Sequence, residues 1–161
     1  MPAANPGSGS TLFEGYTVLS GPYGDATGYG GDCVTMLAGG TINAGDAVYQ
    51  SAANTVSQGV TANNALRVGI AVGGKQTRGR CFPEVKRGAQ VALVGDWVIV
   101  LFSGKARGIS DGVVAVGDKL AFGATAGRVI TTAAAAGTQL GFALSASAGA
   151  GNELDVLVAP A

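Results

Sequence analysis

The sequence predicts an all-β protein: a sandwich or barrel-like domain of short strands built from two related β-units, with an extended N-terminal arm. Three observations predict it. Helical periodicity is missing, while short β-branched or alternating runs recur between Gly, Asn and Asp, as in closely spaced strands joined by turns. Glycine makes up 28 of the 161 residues and only 12% are charged. One phrase also occurs twice: "INAGDAVYQ" at 42–50 lies over "VAVGDKLAF" at 114–122, a displacement of 72 positions, and the same displacement lays "LRVGIAV" (66–72) over "TQLGFAL" (138–144). Self-similarity at a fixed displacement means one supersecondary unit used twice.

Taken in order, "MPAANPGSGS" has neither the basic start nor the apolar stretch of roughly 7–15 residues that marks a secretory signal. Its prolines and glycines read as a flexible arm over 1–15, ahead of a single β domain over 16–161. Strands are expected at 13–19, 33–36, 47–49, 66–72, 90–94, 97–102, 119–122, 128–132, 139–144 and 154–158. "VALVGDWVIVLF" (91–102) reads as a hairpin, with Gly95 and Asp96 as the central residues of a type II′ turn. The alanines of "TTAAAAGT" (131–138) favour helix, but they make about one turn against the 12 or so residues a free-standing helix needs. That stretch is therefore read as a loop.

The repeat spans about 38–94 and 110–158. Gly45 with Asp46, and Gly117 with Asp118, are read as turn-forming residues, since Gly accepts positive φ and the Asp side chain can bond nearby backbone N–H groups. The alternative, Asp46 and Asp118 as paired catalytic carboxylates, finds no second supporting residue. Beyond the matched blocks, "GAQVALV" from Gly88 is set against "GNELDVLV" from Gly151. This leaves the first copy nine positions longer, within "GGKQTRGRCFPEVKR" (73–87).

Ten basic and ten acidic residues cancel, which argues against nucleic-acid binding driven by counterion release. The distribution is uneven. Residues 1–66 carry Glu14, Asp25, Asp32 and Asp46 with no Lys or Arg, whereas 67–107 carry eight basic residues against Glu84 and Asp96. Lys75, Arg78, Arg80, Lys86 and Arg87, in the segment that breaks the repeat, are candidate partner contacts. A solvated loop is the bland alternative. Tyr23 and Tyr29, set among glycines in "GPYGDATGYGGD" (21–32), join the candidates because Tyr offers large contact area at low entropic cost.

Catalytic and cofactor chemistry finds little to work with. The chain has no His, so no Ser-His-Asp or Cys-His pair can be assembled. Cys33 and Cys81 are too few for a disulfide scaffold and spaced for no metal motif, and they read as buried free thiols. "GIAVGGKQ" (69–76) approaches a phosphate loop but ends in Gln76, and Gly79 and Pro83 forbid the helix that must follow. Gly28 and Gly30 lack the third glycine of a dinucleotide loop, and calcium-loop spacing is missing. The longest apolar run, 97–102, is far shorter than the roughly 20 residues of a membrane helix. The expectation is no enzyme, no cofactor, no metal, no small-molecule substrate and no membrane.

The pattern "VALVGDWVIVLFSGKARGISDGVVAVGDKLAFGATAGRVITT", followed by "QLGFALSAS" and "ELDVLVAP", resembles the small capsid cement, or decoration, proteins of tailed bacteriophages, over about residues 85–160. The resemblance implies a β-rich trimer without a cofactor. It would sit on the outer surface of the mature head, holding neighbouring major-capsid subunits together, after synthesis in the host cytoplasm. Its partners would be the major capsid protein and itself. The residues fit a structural role independently: few charges, no nucleophile apparatus, and an arm that would order only against a partner. Open edges of a Gly-rich sheet also favour association. The alternative is a carbohydrate- or receptor-binding β-module on a virus or cell surface, with Tyr16, Tyr23, Tyr29 and Tyr49 as stacking platforms. An aromatic content of 6% leaves little for that.

Overall fold

The computed structural model describes residues 30–81, 84–132 and 139–159. The expected arm, the expected strand at 13–19, Tyr23, Tyr29 and the alanine run lie outside the described residues. Eleven strands are described: β1 (Gly30–Ala38), β2 (Ile42–Asn43), β3 (Ala47–Ala52), β4 (Thr55–Gln58), β5 (Arg67–Gly74), β6 (Gln90–Ala92), β7 (Trp97–Ile109), β8 (Lys119–Phe122), β9 (Val129–Thr131), β10 (Gly141–Ala143) and β11 (Glu153–Val158). Short 3-10 helices cover Thr61–Leu66 and Lys75–Thr77. The protein is all-β.

Nine strands share one sheet, ordered β1-β4-β3-β5-β7-β11-β10-β8-β9. Because β1 also pairs back onto the first half of β7, strands β1, β4, β3, β5 and β7 close into a ring. A second ring forms from the other half of β7 with β11, β10, β8 and β9, closed by a parallel bridge between Ser110 and Val129. Closure leaves few unpaired edges, the standing difficulty of an all-β chain. The long strand β7 belongs to both rings.

The rings match bond for bond. In ring 1, Ala38 N–H bonds the Asp96 carbonyl and Gly39 N–H bonds that of Val56; in ring 2, Ser110 N–H bonds Asn152 and Asp111 N–H bonds Val129. Cys33 on β1 faces Leu101, just as Lys105 on β7 faces Leu157. The repeat therefore begins with β1, whose counterpart is the second half of β7. It also ends differently from the reading at 38–94. Ala71 pairs with Val100 as Ala143 pairs with Val156, so the counterpart of β11 is 97–102, displaced by 56 positions (156 minus 100). The first unit carries 16 extra residues (72 minus 56), not nine, and "GAQVALV" belongs to that extra segment.

The expected hairpin at 91–102 is not formed. β6 pairs with β2, and β7 pairs with β1, β5 and β11. Gly95 has φ +84° and Asp96 N–H bonds the Leu93 carbonyl at 2.9 Å, so Gly95 is the third residue of a four-residue turn, the position where type II requires positive φ. The same turn recurs at 43–46 and 115–118, with Gly45 at φ +95° and Gly117 at φ +89°.

Core positions follow the pleat. Leu154, Val156 and Val158 of β11 are buried while Glu153 and Leu157 face out. Val98 to Leu101 are buried throughout, as expected of a continuous apolar run covered on both faces. The rings are stitched by Ala47 N–H to the Gly127 carbonyl, Gly127 N–H to that of Gly59, and Asn64 Oδ1, which accepts from Phe122 N–H at 2.8 Å. Gly59 lies against the Phe122 ring so closely that no side chain would fit there.

Candidate partner-binding site

The extra segment of ring 1 starts where β5 ends. β5 takes in Gly69 and runs to Gly74, so the glycines of the apparent phosphate loop are strand backbone. Over the turn that follows, the buried Thr77 hydroxyl accepts from Gly74 N–H at 3.0 Å and donates to the Arg80 carbonyl at 2.8 Å. That clamp, with Gly79 N–H on the Gly74 carbonyl, turns the chain through Arg78 in the left-handed region, φ +55°. Arg78 and Arg80 are exposed on either side of Gly79. Cys81 then returns to bridge Gly73, and Lys86 and Arg87 stand on an exposed turn closed by Ala89 N–H on the Lys86 carbonyl.

The five basic candidates thus share one covalent segment, in two electrostatic states. Lys75 is paired with Asp96 at 3.3 Å. Arg87 reaches across to ring 2, to Glu153 at 2.8 Å and the Gly151 carbonyl at 3.2 Å. Arg78, Arg80 and Lys86 make no ion pair among the described residues. Sequence reasoning missed Asp96 as the counter-charge of Lys75. The signal was present as another Gly-Asp pair, at 95–96, read there as a hairpin loop.

Three of the Gly-Asp carboxylates do the same job in different surroundings. Asp46, Asp96 and Asp118 each accept the N–H three residues back, from Asn43 at 2.7 Å, Leu93 at 3.1 Å and Ala115 at 2.9 Å. Asp118 also accepts from the Thr131 hydroxyl. Its turn amide and that hydroxyl hold its carboxyl below the usual range. Asp96 is likewise lowered, first by Gln76. Asp46 is buried at the junction of the rings, against Gly127, and Gln58 donates to it at 2.6 Å. Burial pushes its pKa up despite those bonds. No hydrogen bond or ion pair joins Asp46 to Asp118 among the described residues.

Cys33 is part-buried and Cys81 buried, both as free thiols. Desolvation raises both pKa values, that of Cys81 to about 12, which keeps them as thiols at neutral pH. Tyr49 is half-buried and packs against the core. Among the described residues no group of three His, Cys, Asp or Glu could hold a metal ion, and no helix is long and apolar enough to cross a membrane.

The chain matches no protein-family model and no curated protein. Among solved structures it is similar to the N base of the head fiber protein gp8.5 of bacteriophage phi29, at 16% identity and a TM-score of 0.47, over 79% of this chain and 92% of that one.

Proposed function

We propose that this protein is a structural virion component that binds the outer surface of a tailed-phage capsid and stabilises it by bridging major-capsid subunits, as a trimer. The observation that carries the reading is the exposed set Arg78 and Arg80, on the turn clamped by Thr77, and Lys86, on the next turn, without an intrachain counter-charge among the described residues. Such charges are worth little for stability, whereas across an interface they set register and association rate. The sequence resemblance over 85–160 supplies the identity of the partner. Asp46, Asp96 and Asp118 are each committed to a turn amide, and the chain has no His.

The test uses tailed-phage capsids assembled without the protein, with binding rates measured across a salt series. Arg78→Asn, which tolerates the left-handed backbone, combined with Arg80→Ser and Lys86→Ser, is expected to slow association at least about threefold at low salt and to flatten the salt dependence. Melting should be unaffected. Unchanged kinetics would return the segment to a solvated loop. Light scattering of the free protein at micromolar concentration should give three times the chain mass, and a monomer would overturn the trimer.

A further inference from the structure

The two rings are built alike, so each is a control for the other, and one surface is finished in ring 1 and bare in ring 2. In ring 1 the extra segment folds over the turn at 43–46. Ala44 donates its N–H to the Ala89 carbonyl at 2.8 Å and accepts from Gly88 N–H at 2.9 Å, while β6 pairs with β2. Beneath that cover Ala44 and Val72 are 0% and 2% exposed. Their counterparts 72 positions on, Val116 and Leu144, are 68% and 43% exposed, and Val113 beside them is 73% exposed. Bonds from Gly117 N–H to the Ala143 carbonyl and from Ala143 N–H to that of Asp118 set this turn against Leu144. Among the described residues nothing bonds the N–H or the carbonyl of Val116. Among the described residues ring 2 keeps the seat and lacks the cover, and an open backbone edge flanked by apolar side chains is a template for an added strand.

We infer that residues 11–19 of this chain, "TLFEGYTVL", are that cover, pairing with Val116 as the segment around Ala89 pairs with Ala44 and laying apolar side chains over Val113, Val116 and Leu144. These residues precede the described part of the chain. They carry Leu12, Phe13, Tyr16, Val18 and Leu19 and no proline, whereas residues 1–10 hold Pro2 and Pro6 and, apart from Met1, no large apolar side chain. The point of attachment is favourable. Gly30 pairs with Lys105, on the half of β7 that belongs to ring 2 and leads into 113–116. Residues 20–29 span about 33 Å when extended, against roughly 17 Å from Lys105 to Ser110 along the strand. A tether of that length holds its segment at an effective concentration of order millimolar, an advantage that no separate chain has.

The experiment is amide exchange and methyl–aromatic nuclear Overhauser spectroscopy on the full chain, in a sample mixing two differently labelled preparations. The Val116 amide is expected to be protected at least about a hundredfold over a free turn amide, with Val116 and Leu144 methyls contacting Phe13 or Tyr16 within the same chain. Val116→Pro removes the donor, yet Pro is favoured at this second turn position. Ring 2 should therefore stay folded while contacts from residues 11–19 disappear. Contacts seen only between differently labelled chains would overturn the intrachain cover in favour of a second copy. A Val116 amide that exchanges freely, or segment contacts that survive Val116→Pro, would overturn the added strand.

Discussion

The second matched block of the repeat, a Gly followed two residues on by Ala, makes a sharp prediction about stability. A Cβ at Gly69 would run into the carbonyl oxygen of Leu101, and one at Gly141 into that of Leu157. These are the same contact in the two rings. The obstructing atom is backbone, and the added methyl is itself fixed to backbone, so neither can rotate away. In Gly69→Ala, β5 and β7 must separate by roughly 1 Å or more before ordinary contact is restored, straining the pairs Ile70 with Leu101 and Ala71 with Val100. That places the cost at the upper end of overpacking, about 3 kcal/mol, a fall in Tm of about 6–12 °C for a chain of this size. Gly40→Ala is the control. No atom lies within 4 Å of its Cβ position and its φ lies outside the left-handed region, so it should change stability by less than about 1 kcal/mol. Thermal and urea melts monitored by circular dichroism read both. If Gly69→Ala melted within 2 °C of the parent, close approach would not be why both rings keep this glycine.

Other outcomes follow from features of single residues. Asp46 has a folded pKa above its ordinary 3.8, so its effect on stability is most favourable below that value and is lost as pH rises through the folded pKa. Asp46→Asn should therefore raise Tm at neutral pH, with the gain vanishing below about pH 3.8. Asp118 is shifted down, so its contribution is present above the ordinary value and lost as pH falls. Asp118→Asn should lower Tm at neutral pH and converge with the parent in acid, and the opposite ordering in a pH series of melts would refute both assignments. Arg78→Gly relieves a left-handed backbone and should stabilise by about 1 kcal/mol, measured as a rise in urea midpoint. Asn64→Ala strands the Phe122 N–H between the rings and should cost about 1–3 kcal/mol, read in the same melts.

The fold class was legible because turns are written in residue identity. Gly-Asp at 45–46 and 117–118 marks two equivalent turns, and Gly69 and Gly141 mark two equivalent close approaches. Strands are written only in alternation. β1 and its counterpart at the end of β7, "CVTMLA" against "KARGIS", agree in backbone pairing and in no residue, so the start of the repeat was hidden. The third block was misaligned because "GAQVALV" starts with Gly and ends in Leu-Val as "GNELDVLV" does, although "GDWVIVLF" makes the equivalent bonds. The type II′ reading of Gly95 and Asp96 failed for a tertiary reason: Ala38 takes the Asp96 carbonyl and accepts Gly95 N–H, drawing the turn onto β1. For the basic segment, sequence located all five side chains. Their division into paired and unpaired depends on Asp96 and Glu153, and only the folded chain brings Glu153 to Arg87.

The sharing of β7 between the two rings puts the joint of the duplication inside a strand and not in a loop. The residues of β7 that pair with β1 and β5 (97–105) and those that pair with β11 (104–109) overlap only at Gly104 and Lys105, so a break between Ser103 and Gly104 would cut one continuous strand into the separate staves of the two rings. Two half-length fragments would each present raw strand edges, so they should find one another or precipitate. A pull on one ring passes to the other along the covalent bonds of β7 as well as through the contacts of Gly59 and Asn64 with Phe122.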